Sequence, residues 1–523
     1  MFAASRAGLA SFRLPQLCSR LPKVTAPARS IHIPRTTVHQ HSSVINLLRK
    51  TRSATGFLSR YSTASLGQST PFTTSKSFNT RFFSSNSSPV HPLPTLSRPV
   101  IGIWLLSCST MVFAIVVVGG VTRLTESGLS ITEWKPITGV LPPLTKAQWE
   151  VEFDKYKATP EFKLLHHNFT LDEFKQIFYM EWGHRVLGRL LGLAFVLPLG
   201  YFALRKTLTP GLTPRLFSYA LLLGAQGAMG WYMVKSGLSE EFMTTPGSTP
   251  RVSQYRLASH LALAFILYAG LFTTGMNVIK DWKFANGIGS GKGVIGAREF
   301  YANPVFRRFK IASVALTGLV FITAFSGAFV AGLDAGLLYN EWPLMGGQRA
   351  PPVDELMDPR YAKKADKSDL TWRNMLENPV TVQFEHRTLA HLTYLSTTGL
   401  FAASFLPSLR KALPRPVQIS VMAAYAMVNV QLALGISTLL FMVPTPLAAA
   451  HQAGSVLLLS AMMHILVTMR RPGSAARAWR KAGGATRNAA TAETAAAKGG
   501  AGGNGVGGAA AELIRNAAKP ALA

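Results

Sequence analysis

The chain has 523 residues, 48% of them hydrophobic and only 15% charged, with a formal net charge of +30. That excess is concentrated rather than spread over a nucleic-acid face. Thirteen Lys and Arg but no Asp or Glu lie between Met1 and Arg98, and without them the net charge falls to +17, so no nucleic-acid partner is expected. Of the two cysteines, Cys18 lies in the basic stretch and Cys108 in an apolar run, which excludes a mature disulfide or a paired-cysteine metal site within the chain.

The Ser-, Thr- and Arg-rich opening has the composition of a mitochondrial transit peptide, assigned to 1–83. "TRFFSSNSS" (80–88) resembles a matrix-processing site with the cut after Phe83, and 84–99 reads as a matrix-side linker. Eight apolar segments follow, each about long enough to cross a bilayer: 100–122, 185–204, 215–234, 258–278, 311–332, 388–406, 417–441 and 447–469. The fourth, sixth and eighth are the least uniform. The expected fold is an all-α membrane protein of eight transmembrane helices. Connectors 205–215, 279–310 and 408–416 and the tail after 469 carry net charges of +3, +5, +3 and +7. The long loops 123–183 and 333–385 are acidic on balance. Both termini are therefore expected in the matrix and both long loops in the intermembrane space. The Ala/Gly-rich tail, 470–523, reads as disordered.

The spans repeat as a unit of four. "TESGLSITEWKP" (125–136) after the first span matches "LDAGLLYNEWPL" (333–344) after the fifth. "GHR" and "EHR" open the second and sixth, and "QGAMG" (226–230) and "QLALG" (431–435) lie in the third and seventh. "LASHLAL" (257–263) and "LAAAHQAG" (447–454) open the fourth and eighth. An even repeat keeps both halves in one orientation, so two tandem four-helix bundles (100–278 and 311–469, joined by a matrix loop, 279–310) are expected about a pseudo-two-fold axis along the membrane normal. Inverted-repeat transporters are built the other way.

Each half contributes two histidines, His184 with His260 and His386 with His451, all at the intermembrane-space end of a span. A lone intramembrane histidine is most often a satisfied core residue. Two at matched depth, occurring twice, fit neutral imidazoles holding a haem iron from both faces. Nearby glycines (Gly183, Gly188, Gly192, Gly227, Gly230, Gly435, Gly454) leave room for a macrocycle or serve close helix packing. Arg185 and Arg387 stand on the side that the positive-inside rule disfavours, where a guanidinium matches a haem propionate. His166 and His167 lie in an amphipathic loop stretch expected over the bundle mouth and read as surface residues. His391 and His464 have no counterpart in the other half and are weak candidates.

The halves differ at one position. Glu181 stands one helical turn before His184, on its face, whereas Gln383 holds the equivalent place before His386. Glu385 is turned about 100° away. A carboxylate beside a low-dielectric pocket is a candidate base or nucleophile; a plain ion pair with Arg185 is the alternative.

"DEFKQIFYMEWGHRVLGR" (172–189), "EHR" (385–387), the twofold repeat of a four-span unit and the basic leader together resemble haem A synthase of the mitochondrial inner membrane, over about 100–470. The resemblance implies an oxidoreductase acting on a CH group: one ring methyl of haem O becomes a formyl through two hydroxylations and loss of water, giving haem A for cytochrome c oxidase. It implies His184 and His260 as axial ligands of substrate haem O, His386 and His451 as iron ligands of a resident haem b, and Glu181 as the catalytic glutamate. Arg185 and Arg387 would be the propionate partners. Haem O synthase, a mitochondrial ferredoxin and the cytochrome c oxidase assembly route are partners implied by the family, with membrane lipid around the spans and a homo-oligomer left open. Some bacterial members carry a cysteine pair in the loop after the first span; 123–183 has none. A dihaem b-type electron carrier and a haem carrier are the rival readings. The first does not account for a carboxylate in one half only; against the second, the sequence shows no broken helix with midplane charges, the usual sign of a substrate path.

Overall fold

The computed structural model describes residues 92–135, 139–244, 250–288 and 302–484, which belong to one compact unit, Ser87–Ala523. The expected transit peptide and its processing site lie outside the described residues. Within them the regular structure is helical, apart from an isolated bridge between Met345 and Gln348. Eight long helices carry the fold: α1 (Pro99–Leu124), α2 (Leu171–Leu204), α3 (Leu212–Gly237), α4 (Gln254–Ala285), α5 (Pro304–Gly332), α6 (Pro379–Ser404), α7 (Arg415–Leu440) and α8 (Thr445–Thr468).

Six of these, α1, α2, α4, α5, α7 and α8, are long and apolar enough to cross a membrane. The chain is an all-α membrane protein. The apolar sequence windows placed the weakest spans fourth, sixth and eighth; α6 falls short as expected, but α3 does too, while α4 and α8 do not. α3 is diluted by Gln226 and by Gly224, Gly227 and Gly230; α6 by the polar run around Glu385, His386 and Arg387. Both are nonetheless 26-residue helices.

Several helices also run well beyond their apolar windows. α2 starts at Leu171 rather than near 185, opened by a capping box in which Thr170 and Glu173 satisfy each other's backbone N–H groups. α6 starts at Pro379 behind an Asn378 cap. The extra turns of α2 are polar towards solvent and apolar towards the loop that packs on them, which a hydropathy window does not register. Phe174 and Phe178 meet Trp149, Phe153 and Tyr156 of the loop helix Lys146–Lys157 in a satellite aromatic core.

In each half, every helix touches the next around a ring: α1–α2–α3–α4–α1 and α5–α6–α7–α8–α5. Between halves, α1 lies against α8 and α4 against α5, the same contact taken twice, while α4 meets α8 at the centre. That is what a two-fold relation between the halves requires. α1 lies close on α4, where a Cβ added at Gly102 would stand 2.8 Å from the Gly275 carbonyl, and one at Gly275 equally close to that of Gly102. Hydrogen bonds pin the seam: Tyr268 Oη with Ser460 Oγ (2.7 Å), and Gln452 Nε2 donating to the Val116 carbonyl (3.1 Å).

The tail expected to be disordered from 470 is ordered at its start. Residues 474–484 are helical, Ala476 is buried, and Trp479 Nε1 donates to the Pro94 carbonyl. Lys280 Nζ donates to the carbonyls of Val467, Thr468 and Arg470, so the end of α4 caps the end of α8. Composition alone cannot reveal such anchors. The Ala/Gly-rich remainder, 485–523, lies outside the described residues.

Candidate functional site

Because α2, α4, α6 and α8 each begin at the end where the odd-numbered helices stop, His184, His260, His386 and His451 come to one side of the molecule. All four line a single cavity of about 2010 Å³ that runs through both halves. Each imidazole edge faces a glycine of the preceding helix: Gly119 for His184, Gly230 for His260, Gly327 for His386 and Gly435 for His451. A Cβ at Gly119 would stand 2.7 Å from His184 Cε1, and one at Gly435 2.8 Å from His451 Cε1. These contacts fix the ring positions from the backbone of the neighbouring helix. Gly119→Ala and Gly435→Ala are accordingly expected to displace one imidazole each. Haem bound per protein should fall by about half in either variant, measured by pyridine haemochrome spectra of the purified protein.

The rings of His386 and His451 are 6.4 Å apart, centre to centre. A metal–imidazole bond of about 2.0 Å on each side puts facing ring centres about 6 Å apart, so this pair suits one iron between its two nitrogens. Among the described residues no cluster of three or more His, Cys, Asp or Glu would hold a bare ion. A macrocycle would supply the coordination positions that two imidazoles leave open. The residues present therefore fit haem.

The two sites differ in how the imidazoles are held. Ser326 Oγ donates to the Thr323 carbonyl (2.8 Å), so its lone pair accepts from Nδ1–H of His386 (2.8 Å). That leaves Nε2 with the free lone pair, the atom that would hold an iron. Gln431 Nε2 donates to the His451 carbonyl (3.0 Å) and lies 3.1 Å from its Nδ1. In the first half Gln226 makes the equivalent bond to the His260 carbonyl (3.1 Å), yet Nδ1 of both His184 and His260 is buried with no hydrogen-bond partner. Val118 stands where the second half has Ser326.

The helix seam facing the cavity differs too. Tyr394 on α6 donates to Asn429 Oδ1 on α7 (3.3 Å), and Phe401 stacks on Tyr425 with ring centres 4.0 Å apart. The equivalent first-half positions are Gly192, Gly224, Leu199 and Ala220. Nothing stands within 4 Å of a Cβ added at Gly188, Gly192, Gly224 or Gly227, and all four line the cavity. The second site is closed between α6 and α7; the first is open between α2 and α3.

Glu181 is 3% exposed. One oxygen accepts from Ser130 Oγ and the Ile131 N–H (2.7 Å each); the other takes the Arg185 guanidinium through Nη2 (2.6 Å) and Nε (3.0 Å). Two further donors of Arg185 go to the carbonyls of Ile131 (2.8 Å) and Glu133 (3.0 Å). The structure thus joins Arg185 to Glu181 and to the loop rather than leaving it open to a propionate. Arg387 repeats the loop contact, donating to the carbonyls of Tyr339 and Leu344, with Nε buried and unpartnered. Gln383 offers no charge, and its Oε1 is buried without a partner.

Of the other histidines, His167 is exposed as expected, but His166 is not a free surface residue. Its Nδ1 is 2.7 Å from Tyr156 Oη and its ring stacks on Phe169. Burial in this aromatic cap holds its pKa below the usual value. His391 is exposed on α6, and His464 sits far along α8, hydrogen-bonded to Ser420. The sequence reading passed over one acid: Glu161, buried in the short helix Pro160–Leu164 and lining the cavity. No sequence signal marked it, because Lys157 and Lys163 stand close by as they would beside a solvated acid.

Residues 102–463 match the family model described as COX15-CtaA, cytochrome oxidase assembly protein. The chain is 46% identical over 403 residues to "Heme A synthase COX15" of Saccharomyces cerevisiae, covering 77% of this chain and 82% of that protein. It is 44% identical over 373 residues to "Heme A synthase COX15" of Homo sapiens, covering 71% and 83%. It is also 50% identical over 366 residues to "Heme A synthase-mitochondrial ferredoxin fusion protein" of Schizosaccharomyces pombe, covering 70% of this chain and 59% of that longer protein. A helical membrane protein whose four histidines line one cavity, matched over residues 102–463, this chain belongs to the COX15-CtaA family of cytochrome oxidase assembly proteins.

Proposed function

We propose that this chain is a haem A synthase that oxidises one ring methyl of haem O to a formyl group by two successive hydroxylations, the second product losing water to give the aldehyde. The observation that carries this reading is the asymmetry of two otherwise repeated chambers. Each has a histidine pair, but only the first has a buried carboxylate, Glu181, one turn from its ligand. A dihaem electron carrier has no need of that difference.

On this reading His184 and His260 hold haem O, and His386 and His451 hold haem b, which supplies one-electron transfer when bound. The open seam between α2 and α3 suits a haem that carries an isoprenoid tail and must leave as product. The closed seam between α6 and α7, and the Ser326 bond to His386, suit a resident cofactor. Glu181, fixed by Ser130, Ile131 and Arg185, accepts a proton from the reacting methyl or from the attacking water; its rigid mount keeps the oxygen in one place. Arg387 is the better-placed propionate partner of the two arginines, through its unpartnered Nε. The protein sits in the mitochondrial inner membrane with eight spans, both termini in the matrix and the histidines towards the intermembrane space. The fusion relative supports a ferredoxin as electron partner.

The test is to express the full chain in cells lacking haem A, purify it and separate its extracted haems by chromatography. Haem b together with haem O, its alcohol or haem A is the expected result. Haem b alone, with no haem A restored to the cells, would overturn the reading.

A further inference from the structure

Two guanidiniums at the cavity wall, Arg123 and Arg251, share one acid. Arg123 Nη2 is 2.8 Å from Asp334 Oδ1, and Arg251 Nη1 is 3.6 Å from Asp334 Oδ2. Among the described residues Asp334 is the one acid paired with either, so two cations and one anion leave the trio with a charge of +1. Arg123 Nε is buried with no hydrogen-bond partner. All three residues line the cavity that the four histidines line. A buried N–H without an acceptor is costly, and so is unbalanced charge beside an apolar chamber. An anion supplied from the chamber relieves both.

The position of the trio selects the first chamber. Gly119 of α1 is the glycine that faces the His184 ring. Arg123 follows four residues later, on the same helix face and about 6 Å nearer the end at which the histidine-bearing helices begin. Arg251 precedes α4, the helix of His260. Asp334 follows α5, whose Gly332 packs against Gln254 at the start of α4. The repeat holds no second copy of the two cations. Ala331 stands at the place of Arg123 in the second half, and Met442 at that of Arg251. Arg185, the other first-half cation near a ligand, is already held by Glu181 and by the Ile131 and Glu133 carbonyls.

We propose that Arg123 and Arg251 form the carboxylate-binding subsite of the first chamber and take a propionate of haem O, with Asp334 competing for the same guanidiniums. The subsite rests on the reading above that this chamber receives haem O. A propionate is the matching anion, since it projects from the macrocycle edge and a guanidinium engages a carboxylate through two parallel N–H bonds. Axial imidazoles by themselves leave the ring free to rotate in its own plane. Anchoring one edge at Arg123 and Arg251 removes that freedom, and so fixes which ring methyl meets Glu181.

The test is a spectral titration of the purified full-length protein, haem b in place, with haem O and with its dimethyl ester, in which both propionates are neutral. Wild type is expected to bind the diacid about 10- to 100-fold more tightly than the ester, the range of a hydrogen bond to a charged group. Arg123→Gln should lower the affinity for the diacid to near that for the ester and leave the ester unaffected; Arg251→Gln should do so in part. Asp334→Asn should act in the opposite direction, tightening the diacid several-fold, because the competing carboxylate is gone. An ion pair that merely braces the fold would instead weaken both ligands in Arg123→Gln and Asp334→Asn alike, and that result would overturn the subsite. Equal affinity of wild type for diacid and ester would overturn it too. A His260→Ala variant that keeps the preference for the diacid would overturn its placement in the first chamber. Haem O bound with the expected preference but never oxidised would overturn the functional reading and leave the subsite standing.

Discussion

Replacing His451 with Ala is expected to strip haem b from the protein while leaving the isoprenoid-bearing haem in place. The two second-half imidazoles face one another 6.4 Å apart, edge-packed against Gly327 and Gly435, with Ser326 bonded to the His386 ring. Removing even a second partner of a metal-bound histidine typically costs 10- to 100-fold in affinity, so losing the ligand itself should cost about 100-fold or more. His386→Ala should behave in the same way, and His184→Ala and His260→Ala should deplete the other haem instead. The readout is chromatography of extracted haems, normalised to protein. If His451→Ala depleted only the isoprenoid-bearing haem, the assignment of halves would be reversed.

The second large effect is expected at Glu181. Glu181→Gln keeps the shape and can still accept from Ser130 and Ile131, but it removes the negative charge and the proton-accepting carboxylate. Turnover of haem O should fall by about 10²- to 10⁴-fold, the range a positioned acid–base group contributes, with both haems still bound. Glu181→Ala should also destabilise the fold by about 3–5 kcal/mol, since the part-buried Arg185 guanidinium is left facing an empty site. Thermal melts of both variants separate the two effects. Were Glu181 merely an anchor for Arg185, Glu181→Gln would melt earlier yet retain its turnover.

Much of this architecture was legible in the sequence because membrane crossing imposes a hydropathy pattern that needs no tertiary knowledge. The repeat of the four-span unit then located the histidines. "GHR" with "EHR" and "ASH" with "AAH" fall at corresponding depths, and the structure brings all four imidazoles to one cavity. The Glu181 and Gln383 contrast was readable as well, because one helical turn before a known residue is a fixed direction.

What escaped was whatever depends on contacts between distant segments. His166 looked like a surface residue until the loop folded back on α2 and its ring met Tyr156 and Phe169. Arg185 looked free for a propionate until the loop after α1 presented Glu181 with Ser130 and Arg185 with the carbonyls of Ile131 and Glu133. The start of the Ala/Gly-rich tail looked disordered, yet Trp479 reaches the Pro94 carbonyl and Lys280 holds the carbonyls at the end of α8, over sequence separations of 385 and 187 residues.

The sequence alone determined the membrane class, the duplication, the four histidines and the single asymmetric carboxylate, since each follows from composition or from spacing along one helix. Only the tertiary structure decided that the Nδ1 atoms are satisfied in the second half and bare in the first. It alone opened the α2–α3 seam, closed the α6–α7 seam and buried Glu161 beside the chamber. Those features are set by which side chains meet across helices, and that is decided by packing, which no local pattern encodes.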